Sequence, residues 1–286
     1  MYKVKFLVIN LVLLVAFSWL PSIVFADLSV GIFPRRPAAA SAKAFQPLAE
    51  HLSQVLGEKV NLVIPKNFQE FWEGMEQQKY DIVHLNQYHY IKGHKEFGYQ
   101  VIVANQEFGT GQISGALAVR KDSGINTVAD LKGKTILFGG SKKAMGSYIA
   151  TTAVLKQAGL EADKDYKVQF AKNPPSALLG VYNKVADASG SGDVILKIKS
   201  VTKKVDVEQM KILAVSEPFT HLSWAVKGDI PQDKVLQIQK AMISLADDNA
   251  GKEILNAAKV EKFYAVTDAD FNKVRQITKF AIGEEY

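Results

Sequence analysis

Residues 131–160 read LKGKTILFGGSKKAMGSYIATTAVLKQAGL. A short apolar run at 135–138 is broken by Gly139, Gly140 and Ser141. From about Ala144 apolar residues recur at helical spacing (Tyr148, Ala153, Val154, Leu155, Ala158) until Gly159 stops them. The spacing predicts a strand, a loop and a helix. Backbone N–H groups at a helix start lack intrahelical partners, and the helix dipole favours negative charge there. Ser141, Lys142, Lys143 and Ser147 add side-chain donors to the same loop. The loop can cradle an anion, or it can simply turn the chain and leave its lysines in water. Its glycines match neither a dinucleotide G-x-G-x-x-G nor a P-loop.

The same alternation extends outward in both directions. Toward the amino terminus, 28–33 alternates like a strand and 41–56 carries Phe45, Leu48, Leu52, Val55 and Leu56 at helical spacing. A strand is expected at 60–64. Asn67, with Glu70 three residues on, predicts a capped helix whose core face holds Phe68, Phe71, Trp72 and Met75. Toward the carboxyl terminus, 167–170 reads as a strand, and Asn173, Pro174 and Pro175 open a helix. Residues 186–196 predict a short strand, a turn at 190–192 and Asp193 as the cap of a further helix. After strands at 211–215 and 222–226 the chain reads as mostly helical. This order is that of a layered α/β protein. Segments 112–119 and 219–226 stand out as two crossings. They divide the chain into a discontinuous lobe (27–115 with 222–286) and an inserted lobe (116–221).

Residues 1–26 place Lys3 and Lys5 before an apolar run at 6–20 and end in V-F-A. That is the pattern of a cleavable export signal, with cleavage expected after Ala26 and a periplasmic destination. A membrane span needs about 20 apolar residues, more than this run supplies. The chain has no cysteine, which excludes a disulfide framework and thiolate chemistry. The formal charge is +6; removing 1–26 takes away two lysines and no acid, leaving +4. The basic residues are scattered, with no run of the kind that follows nucleic acid.

Polar groups at the carboxyl ends of strands in open α/β sheets sit where such sheets bind ligands. In YDIVHLNQYHY (80–90) these are His84, Asn86, Gln87 and Tyr88. His84, His89 and His94 recur every five residues, roughly 140° apart on a helix, so they share no face and no metal site is expected. Nor does any constellation of nucleophile, base or paired carboxylates suggest an enzyme or call for a cofactor.

FPRRP (33–37), FQPLAEHL (45–52), YDIVHLNQYHY (80–90), GALAVRKDSGINTVADLKGKTILFGG (115–140), LKQAGLEADKDYKVQF (155–170) and SEPFTHLSWAVKGDIP (216–231), in that order, resemble the phosphate/phosphite/phosphonate-binding proteins of ABC importers, the PhnD-like family. The resemblance covers nearly all of the chain after residue 26. It implies a type II periplasmic binding protein, with two α/β lobes, a ligand cleft between them and two crossing strands, that closes about a hinge. In that family the loop after LKGKxxxFG runs approximately D-P-x-S-T-S-G and holds the phosphorus-linked oxygens. Here 140–147 reads GSKKAMGS, so most of those hydroxyls are absent. The family's acid in the second lobe, which accepts from a ligand P–OH or amino group, falls on Asp193. Arg35 and Arg36 occupy another ligand-loop position, where arginine suits bidentate oxyanion recognition, and His221 lies near the second crossing.

The expectation is therefore a monomeric periplasmic solute-binding protein that captures a small anion, a phosphonate or phosphate-like oxyanion, and delivers it to an inner-membrane permease. Two alternatives stay open. The same closing module could dock on a membrane receptor or kinase as a sensor, or the altered loop could select a carboxylate or larger anion.

Overall fold

The computed structural model describes residues 27–286, so the expected export signal at 1–26 lies outside the described residues. The chain begins β1 (Leu28–Ile32), α1 (Ala38–Leu56), β2 (Val60–Val63), α2 (Phe68–Glu76), β3 (Ile82–Leu85), α3 (Gln87–Phe97) and β4 (Gln100–Gln106). After β5 (Gln112–Ile113) come β6 (Gly115–Arg120), β7 (Thr135–Gly139), α4 (Ala150–Gln157), β8 (Lys167–Ala171), α5 (Pro174–Tyr182), β9 (Ala188–Gly192), α6 (Lys199–Thr202) and β10 (Met210–Val215). The return runs through β11 (Phe219–Thr220), β12 (Ser223–Val226), α7 (Gln232–Ile243), α8 (Asn249–Ala258), β13 (Lys262–Ala265) and α9 (Asn272–Ile282).

Two main sheets result. The first has the order β13-β4-β12-β3-β1-β2 and the second β10-β6-β9-β7-β8. In the first, β1 runs parallel to β2 and β3, while β12 and β13 pair antiparallel with β4. In the second, β7 is parallel to β8 and β9, and β6 is antiparallel to β9 and β10. The chain leaves one sheet through β5 and returns through β11. These two short strands pair antiparallel, Phe219 with Ile113 and Thr220 with Gln112.

Local sequence explains most of the elements. Asn67 and Asn173 cap α2 and α5 by accepting from Glu70 N (2.9 Å) and Ser176 N (3.0 Å), which satisfies helix-start N–H groups. The apolar stripe of α1 buries Phe45, Leu48 and Leu52 against Trp224, Ile238 and Phe263. A second cluster beneath the other sheet gathers Ala118, Leu137, Leu178 and Ile195. A third runs continuously from Phe71, Leu85 and Tyr90 to Leu117, Phe138 and Ile149, and α9 adds Val274, Ile277 and Ala281 to it. The last helix therefore packs into a core that both sheets share.

The structure corrects several expectations. Val55 (50 % exposed) and Phe68 (43 %) lie outside the core, because α1 and α2 each bury a narrower stripe than their apolar content suggests. Residues 190–192 form no turn; they continue β9, where Gly190 pairs with Leu117 and Phe138. A Cβ at Gly190 would collide with the Ser147 carbonyl, so the glycine serves close packing. Asp193 caps nothing, since only a 3-10 turn at Ile195–Lys197 follows, and its cap is Val194. The region after β12 is mostly helical, as expected, with one short strand added. Four residues, KFYA, form β13 because the edge of β4 offers them a partner.

Candidate functional site

The loop after β1 brings Arg35 to the edge of the cleft. Its Nη2 lies 3.9 Å from Glu107 Oε1, and its guanidinium stands 5.6 Å above the Phe33 ring centroid. Burial pulls the Arg35 pKa down to about 10; Glu107 opposes the shift and Arg36 adds to it. Arg35 therefore stays cationic at neutral pH, with its side chain still partly open to solvent. Arg36 turns away, and its Nη1 donates to the Ala258 carbonyl at 3.5 Å.

Behind this pair stands a relay of buried polar contacts. Asn105 Nδ2 donates to Glu107 Oε1 (3.0 Å), and Trp224 Nε1 donates to Asn105 Oδ1 (3.1 Å). The Trp224 ring stacks on His84, with centroids 4.5 Å apart and planes 16° from parallel. Phe33 and Phe45 enclose the same imidazole at 5.1 and 5.2 Å. Neither His84 ring nitrogen has a hydrogen-bond partner among the described residues. Burial holds its pKa well below the ordinary range, and Arg35, Arg36 and His221 press the same way. His84 is a neutral wall residue.

His221 lies between the crossing strand β11 and β12. Its Nδ1 accepts from Leu222 N at 2.8 Å, which leaves Nε2 as the donor of the neutral ring. Burial lowers its pKa first; Glu107 and Asp193 oppose that shift and Arg35 reinforces it. The imidazole thus lies within electrostatic range of all three charged groups. Asp193 arrives from the end of β9, with its N–H donating to the Ser114 carbonyl at 3.0 Å. Its Oδ1 is buried without a hydrogen-bond partner among the described residues. An unpaired buried acceptor costs about 1–3 kcal/mol unless a donor reaches it. Arg35, Glu107, His221 and Asp193 thus share one electrostatic neighbourhood where the chain crosses between the two sheets, and are the candidate site.

The loop after β7 is arranged differently. Ser147 is buried; its Oγ accepts from Gly139 N (2.7 Å) and donates to the Gly190 carbonyl (2.8 Å), which ties β7 to β9. Ser141 Oγ accepts from Lys143 N at 3.3 Å. Gly140, at φ 105°, makes the turn. A single π-helical turn (Met145–Ile149) leads into α4. Asn86 caps α3 through His89 N (2.8 Å), and its Nδ2 donates to the Lys143 carbonyl at 3.4 Å, so α3 meets this loop. Gln87 Nε2 donates to the Thr220 carbonyl (2.9 Å), anchoring α3 to β11. The Tyr88 hydroxyl donates to Glu284 Oε2 at 2.7 Å and lies 3.3 Å from the Tyr286 hydroxyl. Tyr88, Lys142 and Lys143 line a groove beside α4, apart from the candidate site.

Electrostatic range links Arg35, Arg36, His84, Asp193 and His221, while Gln87, Tyr88, Lys142 and Lys143 meet other partners or line the groove. Sequence reasoning missed Glu107. Its signal was available: Asn105 and Glu107 are polar residues two apart at the end of a strand, beside a glycine-rich crossing. The three closely spaced histidines also separate. His84 stacks on Trp224, His89 lies parallel to Phe68 at 5.8 Å, and His94 Nδ1 is 2.8 Å from the Tyr99 carbonyl.

A family model described as the periplasmic substrate-binding protein of a phosphonate ABC transporter matches residues 30–271. Over 258 residues the chain is 23 % identical to the tetrathionate sensor histidine kinase TtrS of Salmonella typhimurium, covering 88 % of this chain and 43 % of that protein. The chain thus spans less than half the length of this curated relative. In structure it is similar to XAC2383 from Xanthomonas citri bound to ATP, with 12 % identity and TM-score 0.78 over 90 % of this chain and 97 % of that one. It is also similar to PhnD1 from Prochlorococcus marinus in complex with methylphosphonate, with 16 % identity and TM-score 0.76 over 90 % and 99 %. Likeness at these identities shows the fold: two α/β lobes of the type II periplasmic binding class, joined by two crossing strands.

Proposed function

Because the chain belongs to the phosphonate-binding family of periplasmic substrate-binding proteins of ABC transporters, we propose that it captures a phosphonate or phosphate-like oxyanion that still carries a proton. The family works with a membrane permease and a small ligand. The finer reading is that lobes 27–115 with 222–286 and 116–221 close on the anion as a monomer. The chain alters no bond of the ligand, has no use for nucleic acid, and is exported by the signal at 1–26.

The observation that carries this reading is Asp193 Oδ1, buried and without a donor, in the same electrostatic neighbourhood as Arg35 and His221. A monoprotonated oxyanion answers both needs. Its P–OH donates to the carboxylate, while its unprotonated oxygens accept from the guanidinium and from His221 Nε2–H. Closure then excludes water and strengthens each contact. Calorimetric titration with phosphate, phosphite, methylphosphonate, 2-aminoethylphosphonate, sulfate and a carboxylate panel tests this directly. Phosphorus oxyanions should bind and sulfate, which has no proton at neutral pH, should not. A preference for sulfate, or for a carboxylate alone, would overturn the ligand assignment.

The match to a sensor kinase over 88 % of this chain favours one second reading, in which the closed lobes report the ligand to a membrane receptor. The two part company in cells. Deleting a transport component abolishes uptake of the labelled ligand, whereas deleting a sensor leaves uptake intact and removes a transcriptional response.

A further inference from the structure

We propose that the groove between α4 and the carboxyl-terminal end of α9 is a second binding site, separate from the cleft, for an elongated organic dianion. Its volume is about 460 Å³, within the range of small-molecule sites. None of Arg35, Glu107, Asp193 or His221 lines it.

Charge selects the ligand class. Lys142, Lys143 and Lys156 all line the groove, and none forms an ion pair among the described residues. Lys156 Nζ reaches only the Phe280 carbonyl, at 2.9 Å, and lies 5.4 Å from the centroid of its ring. The two acids of the lining are already engaged. Glu161 pairs with Lys164 at 3.1 Å, and Glu284 accepts from the hydroxyls of Tyr88 (2.7 Å) and Tyr286 (2.6 Å). Three lysine charges therefore face one carboxylate, Glu284, whose partners are neutral hydroxyls, and an excess of positive charge remains.

Shape selects the length. Tyr148, in the π-helical turn, and Thr152 and Lys156 of α4 recur every four residues and line the groove over roughly 12 Å. Lys142 and Lys143 precede this run and Lys156 ends it. The same lining also carries the apolar side chains of Leu160, Ala162, Ala281 and Ile282. Thr152 is 6 % exposed, and its Oγ1 has no hydrogen-bond partner among the described residues. An anionic group at each end, an aliphatic middle and one acceptor for Thr152 describe a linear dicarboxylate or an equivalent carboxylate phosphate.

The test is calorimetric titration of the chain from Asp27 onward with glutarate, adipate and suberate, with hexanoate as the monoanion. At least one dicarboxylate should bind one per chain, and hexanoate at least tenfold more weakly. Lys156→Gln should weaken that dicarboxylate at least fivefold, as should Thr152→Val, while Arg35→Ala leaves it within twofold. Lys156 is solvent-facing, so Lys156→Gln should keep the unliganded melting temperature. The proposal fails if no dicarboxylate binds at millimolar concentration, or if hexanoate binds equally well. It also fails if affinity survives Lys156→Gln and is lost in Arg35→Ala, which would put the anion in the cleft.

Discussion

The candidate site and the loop after β7 hold similar kinds of side chains and use them in opposite ways. At the site, Asp193 Oδ1 and both nitrogens of His84 are buried without partners, and Arg35 meets its one acid at 3.9 Å, longer than a hydrogen bond. In the loop, Ser147 both donates and accepts within the protein, and Ser141 holds its own turn. A hydroxyl that joins two strands has no donor left for a ligand. What distinguishes a site from a scaffold here is unsatisfied bonding capacity rather than residue type.

The largest expected effect sharpens that contrast. Arg35→Ala combined with Asp193→Ala should weaken binding of the preferred oxyanion at least 100-fold in calorimetry, about 2.8 kcal/mol. Ser141→Ala should change it less than threefold. Equal losses from both would erase the distinction.

Protonation offers a second comparison, between His84 in the cleft wall and His89 beneath the loop. Burial lowers the His89 pKa to about 3, with Lys143 and Lys92 adding to the shift, and it holds His84 well below 6.5. The native state thus takes up these protons later than the unfolded chain does. Their contribution to stability is present above the unfolded pKa near 6.5 and is lost as pH falls toward the folded values. Between about pH 6 and pH 4, His89 should lower stability by about 1.4 kcal/mol per pH unit, and His84 acts in the same direction. Denaturant melts of His89→Phe should show a shallower acid slope than the parent; an unchanged slope would mean that His89 titrates normally.

Ser147→Ala addresses the scaffold side. It leaves the Gly139 N–H and the Gly190 carbonyl without their shared partner and should destabilise the fold by about 1–3 kcal/mol in denaturant titration. Normal stability with lost ligand binding would move Ser147 into the site. The smallest effect is expected of Glu107→Gln. Removing the charge beside Arg35 should tighten binding of fully ionised oxyanions by about three- to tenfold and raise the pH at which binding is best, measured by titration across pH 6 to 9. Weaker dianion binding would mean that Glu107 mainly positions Arg35.

How far the chain could be read without coordinates depended on the range of each signal. Asn67 and Asn173 announced their helices because an N-cap acts on a backbone N–H three residues away. The apolar runs of β1, β3, β6, β7 and β12 were equally plain, as were the two segments that cross. β13 was not, because four residues form a strand only when an edge is waiting for them. Arg35, His84, Asp193 and His221 could each be singled out, but not joined, since 186 positions separate the first from the last.

The sequence by itself determined the α/β order, the caps at Asn67 and Asn173, the absence of thiol chemistry and the family, all of which rest on local pattern and residue identity. Tertiary structure alone decided that Glu107 faces Arg35, that Tyr88 bonds to Glu284, and that Ser147 is a strut while Asp193 is left open. The physical reason is that a polar atom's role depends on whether some other atom, distant in the chain, has already met its bonding need. That can be read only once the backbone has brought the two together.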